Sequence, residues 1–459
     1  MSVGTRSRAA LASLGVLGLA LAAAVSPAHA AGGTPATPTQ PFNGHKNCSA
    51  DAAHPTFLSA AGGLEVEAIP GTIGATDSPL ATLKFQAWPV EDPAQVTTVT
   101  RTNAALRYET IGTFPTTALT DGETYAWQAQ TVIGNSASDW SVTCYVTIDN
   151  TRPSAPTITS SNYPQETASQ GGVPAEFTLD AGGDTDVSGF EYSWSQHLPD
   201  PVATEGPYGV PQVSDPYADT DHFVRANAPG GTAELTLVPP GSGPQTLWIK
   251  SLDRAFNRSD VTGYEIWTSW AGPTLTRDVA SPEFGDVVTF TLEPDAGLQA
   301  ISPIVSYTVD VTGTNEAKQE EVAAGADGTA KVTLTLDGPF SAGLNVTSKS
   351  ANGWISDEVS WTTHYDSTTT ITSDVYPTSD SGGGVGVPGT FTFTPKVKNV
   401  VSYTYSFTGE PAVTVPADGG GTATIEWSPS TEDFYDLVVY ATVESGARTD
   451  GSIYTFMVE

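Results

Sequence analysis

The side chains best able to do chemistry are scattered along this chain and form no recognisable catalytic motif. No histidines have the H-x-H or H-E-x-x-H spacing of a zinc site. Residues 134–138 are one residue short of the G-x-S-x-G turn that presents a nucleophilic serine, and the glycine-rich run 382–386 lacks the lysine and helix of a phosphate loop. Of the six histidines, His29 falls in a leader segment predicted to be removed. The sequence predicts surface or core-edge positions for the other five, which are His45, His54, His197, His222 and His364.

Carboxylates leave one catalytic alternative open. The chain has 51 Asp and Glu residues, and two of them meeting in space could act as the acid pair of a glycoside hydrolase. No spacing singles out such a pair, and little else expected of an active site is present. The sequence predicts that the protein is not an enzyme, with a hydrolase using an unrecognised carboxylate site as an alternative.

Cys48 and Cys144 predict a disulfide. They are the only two cysteines, and they bracket the first globular segment from its first strand to its last. An oxidising compartment favours the bond, and the terminal strands of a β-sandwich can lie side by side. The alternative is two free, buried thiols.

Two weaker binding hypotheses concern acidic and aromatic residues. Asp180, Asp184 and Asp186 lie close together in a glycine-rich turn, and their oxygens could cage calcium. The favoured alternative is a solvated acidic loop, because the spacing matches no EF-hand. No other cofactor is expected.

Three tryptophans are candidates for stacking on sugars. Trp88, Trp270 and Trp354 stand beside Pro or Gly near turns and links, whereas the tryptophans that alternate with polar residues inside strands are predicted to be core. The core set is Trp127, Trp194 and Trp248. Loop aromatics also commonly seal junctions between domains, and that alternative is favoured.

Charge excludes several classes of partner. Eighteen Lys and Arg against 51 Asp and Glu give a formal net charge of -33. A polyanion of this kind repels phosphate backbones and anionic membranes, so no nucleic acid is expected as a partner. An extracellular surface protein or a polysaccharide fits better, and a monomer is expected.

Residues 1–30 have the organisation of a secretory signal peptide. Arg6 and Arg8 precede an apolar run, and Ala28-His29-Ala30 matches a signal peptidase site. Cleavage is predicted after Ala30, which would release an extracellular protein. No later apolar stretch reaches the roughly 18 residues needed to span a bilayer.

Short alternating strands and internal repeats indicate how these residues are positioned. Alternation such as Phe-Thr-Phe-Thr at 391–394 is typical of antiparallel sandwiches. Gly-Thr-Ala opens a strand at 231, 328 and 421, and the Phe190–Trp194 segment returns 213 residues later as Tyr-Thr-Tyr-Ser-Phe. The repeated aromatic stripe predicts a packed core. The fold class predicted is all-β, with tandem immunoglobulin- and fibronectin type III-like β-sandwiches.

Repeats and proline-containing links set the predicted boundaries. A flexible arm is expected at 31–44, a disulfide-bonded fibronectin type III-like sandwich at 45–150, and immunoglobulin-like sandwiches at 151–270, 271–365 and 366–459. Short links predict units held in series with limited bending.

Two segments resemble known families. Residues 119–127, Leu-Thr-Asp-Gly-Glu-Thr-Tyr-Ala-Trp, resemble the later strands of fibronectin type III modules, which implies that the hydroxyl of Tyr125 bonds backbone at a strand corner. Residues 253–259 resemble the terminal hairpin of bacterial immunoglobulin-like repeats, with Phe256 where glycine is usual. The linker 149–153 resembles those of large secreted actinobacterial proteins. The resemblance implies a secreted bacterial tandem-repeat protein.

The function expected from these features is non-catalytic. The best-supported hypothesis is a secreted spacer or adhesive protein acting through surface contacts. A carbohydrate-binding accessory protein is the second hypothesis, and the hydrolase is the third.

Overall fold

Alternating apolar residues make the regular secondary structure of the described chain almost entirely β. The computed structural model describes residues 33–44, 46–74, 80–205, 211–213, 215–338, 340–378 and 380–459, so the predicted signal segment 1–30 lies outside the described residues. Within the described chain, sheets that are antiparallel except for three short parallel pairs pack face to face, which confirms the all-β tandem-sandwich class.

The described part of the first sandwich contains ten strands and a 3-10 turn at Thr116–Ala118. One sheet has the order β2-β1-β4-β7, and the other has the order β3-β10-β8-β5-β6 with β9 beside β8. The strands are β1 Thr34–Asn43, β2 Lys46–Asn47, β3 Thr56–Leu58, β4 Leu64–Ile73, β5 Leu80–Pro89, β6 Thr97–Ala105, β7 Thr110–Phe114, β8 Thr124–Ile133, β9 Ser136–Ala137 and β10 Cys144–Ile148.

The predicted flexible arm is wrong for most of its length, because β1 pairs with β4 from Thr34 to Phe42. Prolines 35, 38 and 41 made this segment resemble an arm. They are tolerated because β1 is paired along most of its length on one side only, and its register shifts twice. Gln40 has a positive φ of 50°, which marks one of these irregular positions.

The second sandwich pairs a sheet of order β11-β13-β18 with one of order β12-β20-β19-β14-β17, and β15 and β16 form a small hairpin. A 3-10 turn covers Pro216–Ala218. The strands are β11 Thr157–Ser160, β12 Ala168–Ser169, β13 Ala175–Asp180, β14 Val187–Ser193, β15 Thr204–Glu205, β16 Pro211–Gln212, β17 Phe223–Arg225, β18 Thr232–Leu237, β19 Gly243–Asp253 and β20 Thr262–Thr268.

The third sandwich pairs a sheet of order β21-β22-β25 with one of order β24-β23-β26-β27, and helix α1 (Ala296–Ile301) joins β22 to β23. The side chain of Asp295 caps that helix by accepting from the N–H of Leu298. The strands are β21 Thr274–Arg277, β22 Val287–Glu293, β23 Ile304–Thr312, β24 Lys318–Ala323, β25 Ala330–Thr335, β26 Ser341–Ser350 and β27 Val359–His364.

The fourth sandwich pairs a sheet of order β28-β30-β33 with one of order β29-β35-β34-β31-β32. The strands are β28 Thr369–Ser373, β29 Ser381–Gly382, β30 Gly389–Pro395, β31 Val400–Phe407, β32 Val413–Pro416, β33 Ala423–Trp427, β34 Phe434–Val443 and β35 Ser452–Val458.

Each sandwich has its own core between its sheets. The predicted aromatic stripes are confirmed as core: Phe190 and Tyr192 are buried in the second sandwich, and Tyr403 and Phe407 in the fourth. In the third and fourth sandwiches, the glycine of the repeated Gly-Thr-Ala segment accepts a hydrogen bond from a buried core tyrosine. The hydroxyls of Tyr307 and Tyr403 donate to the carbonyls of Gly328 and Gly421, at 2.6 and 2.7 Å.

The chain forms two compact units. One comprises the residues up to 151 together with the segment within 202–214. The other comprises 152–201 and the residues from 215 onward, and thus contains most of the second sandwich and all of the third and fourth.

Candidate functional site

The predicted disulfide is confirmed. Cys144 is buried at the start of β10, and it bonds Cys48 with their Cα atoms 5.3 Å apart. The bond closes a loop of sequence separation 96 around the core of the first sandwich.

The carboxylates of Asp180, Asp184 and Asp186 take separate partners. Asp180 accepts from the N–H of Gly182, and Asp186 pairs with Arg254 at 3.0 Å. Asp184 accepts from the N–H groups of Ser154 and Asp186, and the bond from Ser154 contributes most to lowering the pKa of Asp184. The described chain does not bring these three carboxylates together as a metal-ligand group.

The three tryptophans proposed to stack on sugars have different surroundings. Trp354 is fully buried, so its prediction as a surface ligand contact is wrong. Its ring lies against Gly171, where a β-carbon would come within 2.6 Å. The absence of a side chain at Gly171 makes that position possible, and Trp354 is therefore a seal between the second and third sandwiches. Trp270 is 73% exposed, and Trp88 is half-buried on β5.

The predictions for the in-strand tryptophans are correct only in part. Trp127 is fully buried in the first core, and Trp194 packs against the second. Trp248 is not in the core, because its neighbours Leu247 and Ile249 take the inward positions of β19. It lies on the outer face against Gly263.

Both family-like segments form the expected local bonds. The N–H of Thr120 donates to the hydroxyl of Tyr125 at 2.9 Å, which confirms the tyrosine corner. In the hairpin after β19, Asp253 accepts from the backbone and side-chain nitrogens of Asn257. Phe256 has a φ of +71°, which explains why glycine is usual at that position. Burial raises the pKa of Asp253 to about 6, against the lowering effect of the Asn257 bonds.

A hydroxyl bridge, which the sequence analysis missed, recurs before the last strand of every sandwich. In the third, the Oγ of Ser356 accepts from the N–H of Ser348 at 2.8 Å and donates to the carbonyl of Asp357 at 2.9 Å. The buried hydroxyl thereby replaces ladder bonds where the strands diverge. The equivalent residues are Ser141, Ser259 and Thr449.

In the last three sandwiches, the hydroxyl bridge is followed by an aspartate that holds the incoming linker. The carboxylate of Asp357 accepts from the N–H of Ala271 at 2.8 Å and from the hydroxyl of Ser242, and its own N–H donates to the carbonyl of Ala271. Asp260 pairs with Arg152, and the N–H of Asp450 donates to Ser367.

A sequence signal for these linker contacts existed. The Ser/Thr-Asp pairs begin at 259, 356 and 449, and their spacings of 97 and 93 residues equal those of the Gly-Thr-Ala repeat. A search for every residue pair at these spacings would have found them.

Side-chain packing reinforces the junctions within the second unit. Asn352 donates to the carbonyl of Gly172 beside Trp354, which joins the second and third sandwiches. Phe284, just before β22 of the third sandwich, is buried in the core of the fourth. Lys398 pairs with Glu283 beside it at 2.6 Å.

One pair of carboxyl groups meets in the first sandwich. Glu67 on β4 is only 4% exposed, and burial, with Glu109 and Glu65 nearby, raises its pKa to about 9. A group with so little exposure is inaccessible to a substrate. Glu67 is consequently a buried structural acid, with the half-buried Glu109 beside it.

The second sandwich also contains a buried carboxylate, which forms an ion pair. Glu191 is fully buried on β14 and pairs with Arg258 at 3.0 Å, and Arg258 also binds Asp200. Burial raises the pKa of Glu191, and the charge of Arg258 opposes that rise.

An open cleft of about 620 Å³ lies in the first sandwich beside β5 and the Thr116–Ala118 turn. Its polar groups already bond one another: Tyr125 donates to Glu123, and Gln95 donates to Asp92. Among the described residues, none that lines the cleft is a histidine, cysteine or lysine.

These features define a multidomain all-β protein of tandem immunoglobulin- and fibronectin type III-like sandwiches. No protein-family model and no curated protein matches the chain. It is similar to the chicken CNTN1 FN1–FN3 domains, with 12% identity, a TM-score of 0.24, and coverage of 67% of this chain and 99% of that one. It is also similar to a mutant of Salmonella alpha-2-macroglobulin, with 10% identity, a TM-score of 0.19, and coverage of 88% and 32%. The assignment to a fold class therefore rests on the sheets themselves.

A search of the described residues for helices finds none that is both long and apolar enough to cross a membrane.

Proposed function

We propose that the protein is a secreted, non-catalytic spacer or adhesive protein whose last three sandwiches are held together by specific linker contacts. The disulfide accords with an oxidising extracellular compartment. A spacer must keep its modules from bending freely at their links, so it needs specific contacts at the junctions between sandwiches.

The observation that carries the proposal is the bonding of Asp357 to the linker. Its carboxylate and backbone hold both sides of Ala271, and Trp354 fills the gap against Gly171. The recurrence of a linker-binding aspartate after Ser259 and Thr449 indicates that the repeat is organised around its junctions. An enzyme would instead concentrate such repeated polar contacts around a substrate.

Distances between spin labels at introduced cysteines test the spacer role. Thr236→Cys in the second sandwich and Lys331→Cys in the third are exposed positions, and the native disulfide stays oxidised. We expect a narrow distance distribution that Asp357→Ala broadens, because the linker loses its carboxylate partner. Glu358→Ala, an exposed neighbour, is the matched control and should leave the distribution narrow.

A broad distribution in the unsubstituted protein would contradict the spacer role, as would an Asp357→Ala distribution identical to that of the control.

A panel of glycoside and ester substrates tests the non-catalytic part. We expect no turnover above background. Turnover that a carboxylate substitution abolishes would establish the hydrolase alternative.

A further inference from the structure

The outer face of the larger sheet in the first sandwich brings two aromatic side chains into one row. Trp88 on β5 and Tyr145 on β10 both pair with Ala126 on β8, one from each side. Their inward neighbours belong to the core, so both rings lie on the outer face. With strands about 4.8 Å apart, the two Cα atoms are about 10 Å apart.

Ala126 forms the floor between these rings. It is only 2% exposed although it lies on the outer face, because the larger side chains beside it cover it. Trp88 and Tyr145 are themselves half-buried and accessible. The described chain provides no hydrogen-bond partner for the indole N–H of Trp88 or the hydroxyl of Tyr145, so both groups are available to a ligand.

The next row on the same face consists of amides and a hydroxyl. Gln86 on β5 pairs in register with Gln128 on β8, and Thr143 lies just before β10, within hydrogen-bond distance of Gln128. Gln128 donates to the hydroxyl of Thr143 at 2.7 Å and accepts from Gln86 at 3.4 Å. These bonds fix the orientation of the Gln128 amide. The amide oxygen of Gln86 and the second N–H of each glutamine amide remain for other partners.

This sheet contains no acidic residue in its strands, although the chain has 51. The larger sheets of the second and fourth sandwiches do carry exposed acids in their strands, for example Glu265 on β20 and Asp436 on β34. The amide face, defined here as Gln86, Trp88, Gln128, Thr143 and Tyr145, is uncharged.

We propose that the amide face binds a neutral polysaccharide chain. Aromatic rings stack on the apolar faces of sugar rings, and amides and hydroxyls exchange hydrogen bonds with sugar hydroxyls. An anionic polymer is disfavoured by the net charge of -33, because Lys84 is the only cation on the outer face of these three strands. The proposal goes beyond the spacer function and does not depend on it.

Affinity electrophoresis of the full secreted chain through gels containing hydroxyethylcellulose, xylan, mannan or laminarin tests the proposal, with pull-down on insoluble cellulose and chitin. We expect binding to at least one of these neutral glycans. Trp88→Ala and Tyr145→Ala should each weaken binding roughly tenfold or more, since stacking is a large share of such contacts. Trp88→Phe should retain part of the affinity.

Trp270→Ala is the matched control, because it removes an exposed indole that lies outside the amide face. Its affinity should equal that of the unsubstituted protein. Thermal denaturation confirms that each variant is folded, and Gln128→Ala provides a second variant if Trp88→Ala does not fold.

Absence of binding to every neutral glycan would overturn the proposal. Equal losses in Trp88→Ala and Trp270→Ala would overturn it too, as would retention by the anionic polymer heparin at the strength seen for neutral glycans. None of these outcomes bears on the spin-label distances that test the spacer role.

Discussion

Single buried carboxyl groups explain how an acidic chain tolerates acids inside its sandwiches. Glu67 is protected from water and lies beside Glu109, so its protonated form is favoured in the folded state. Glu191 instead remains beside the guanidinium of Arg258. Burial raises the pKa of both glutamates, but the charge of Arg258 opposes the rise at Glu191, whereas Glu109 and Glu65 add to it at Glu67.

We expect Glu67→Gln to make stability less dependent on pH. The folded-state pKa of Glu67 is raised to about 9 from an ordinary value of 4.5. The stability it contributes is therefore fully present below pH 4.5 and is lost as pH rises through 9. Glutamine needs no proton, so the variant should gain about 1–3 kcal/mol over the unsubstituted protein toward pH 9.

Urea unfolding at pH 4.5, 7 and 9 measures this difference. Glu91→Gln, at an exposed position elsewhere in the first sandwich, is the control and should show no such gain. A constant difference between Glu67→Gln and the unsubstituted protein at all three pH values would show that the pKa of Glu67 is the same in the folded and unfolded states, which would contradict the raised pKa.

At the scale of strands and loops, the last hairpin of each sandwich has two roles. Its hydroxyl bridge completes the sheet where two strands separate, and the next residue reaches the linker. The pair at Ser356 and Asp357 is the best-bonded example, because backbone and side chain both contribute.

Ser356→Ala should destabilise the second unit by about 1–3 kcal/mol, because it leaves the buried N–H of Ser348 without its partner. Ser356→Thr should retain most of the stability, since Thr449 makes the same bridge in the fourth sandwich. Chemical denaturation measures both. Ser360→Ala, at an exposed position nearby, should have little effect; a loss as large as that of Ser356→Ala would argue against a specific bridge.

Gly171→Ala should also destabilise the second unit, by about 1–3 kcal/mol from overpacking against the ring of Trp354. Gly62→Ala is the matched control, because nothing lies within 4 Å of the added carbon there. The melting temperature of each variant gives the comparison. Equal melting temperatures for Gly171→Ala and the unsubstituted protein would mean that Trp354 is not held tightly at this junction.

For the molecule as a whole, the two compact units differ in how they are stabilised. The first contains both cysteines, whereas the second contains none and depends on its cores and junctions. Their responses to reducing conditions should therefore separate.

Reduction should lower the melting transition of the first unit and leave that of the second unchanged. Opening a loop of separation 96 removes up to about 4.7 kcal/mol of stability by the chain-entropy estimate. Differential scanning calorimetry with and without reductant measures the two transitions, and a Cys48→Ser, Cys144→Ser double variant without reductant should reproduce the shift. Equal shifts in both transitions would contradict this assignment of the disulfide to the first unit alone.

The sequence by itself determined the fold class, the disulfide pair, the tyrosine corner and the aromatic cores. Alternation with a period of two identifies which side chains share a sheet face, and a chain with only two cysteines leaves one intramolecular pairing. Periodicity does not reveal whether a face is covered, because that depends on residues distant along the chain. Tertiary structure alone therefore decided that Trp354 is buried with its ring against Gly171, that Trp248 lies outside the core, and that Trp88 shares a row with Tyr145. It also decided that a proline-rich arm completes a sheet, since a strand's pairing partners determine where proline is tolerated.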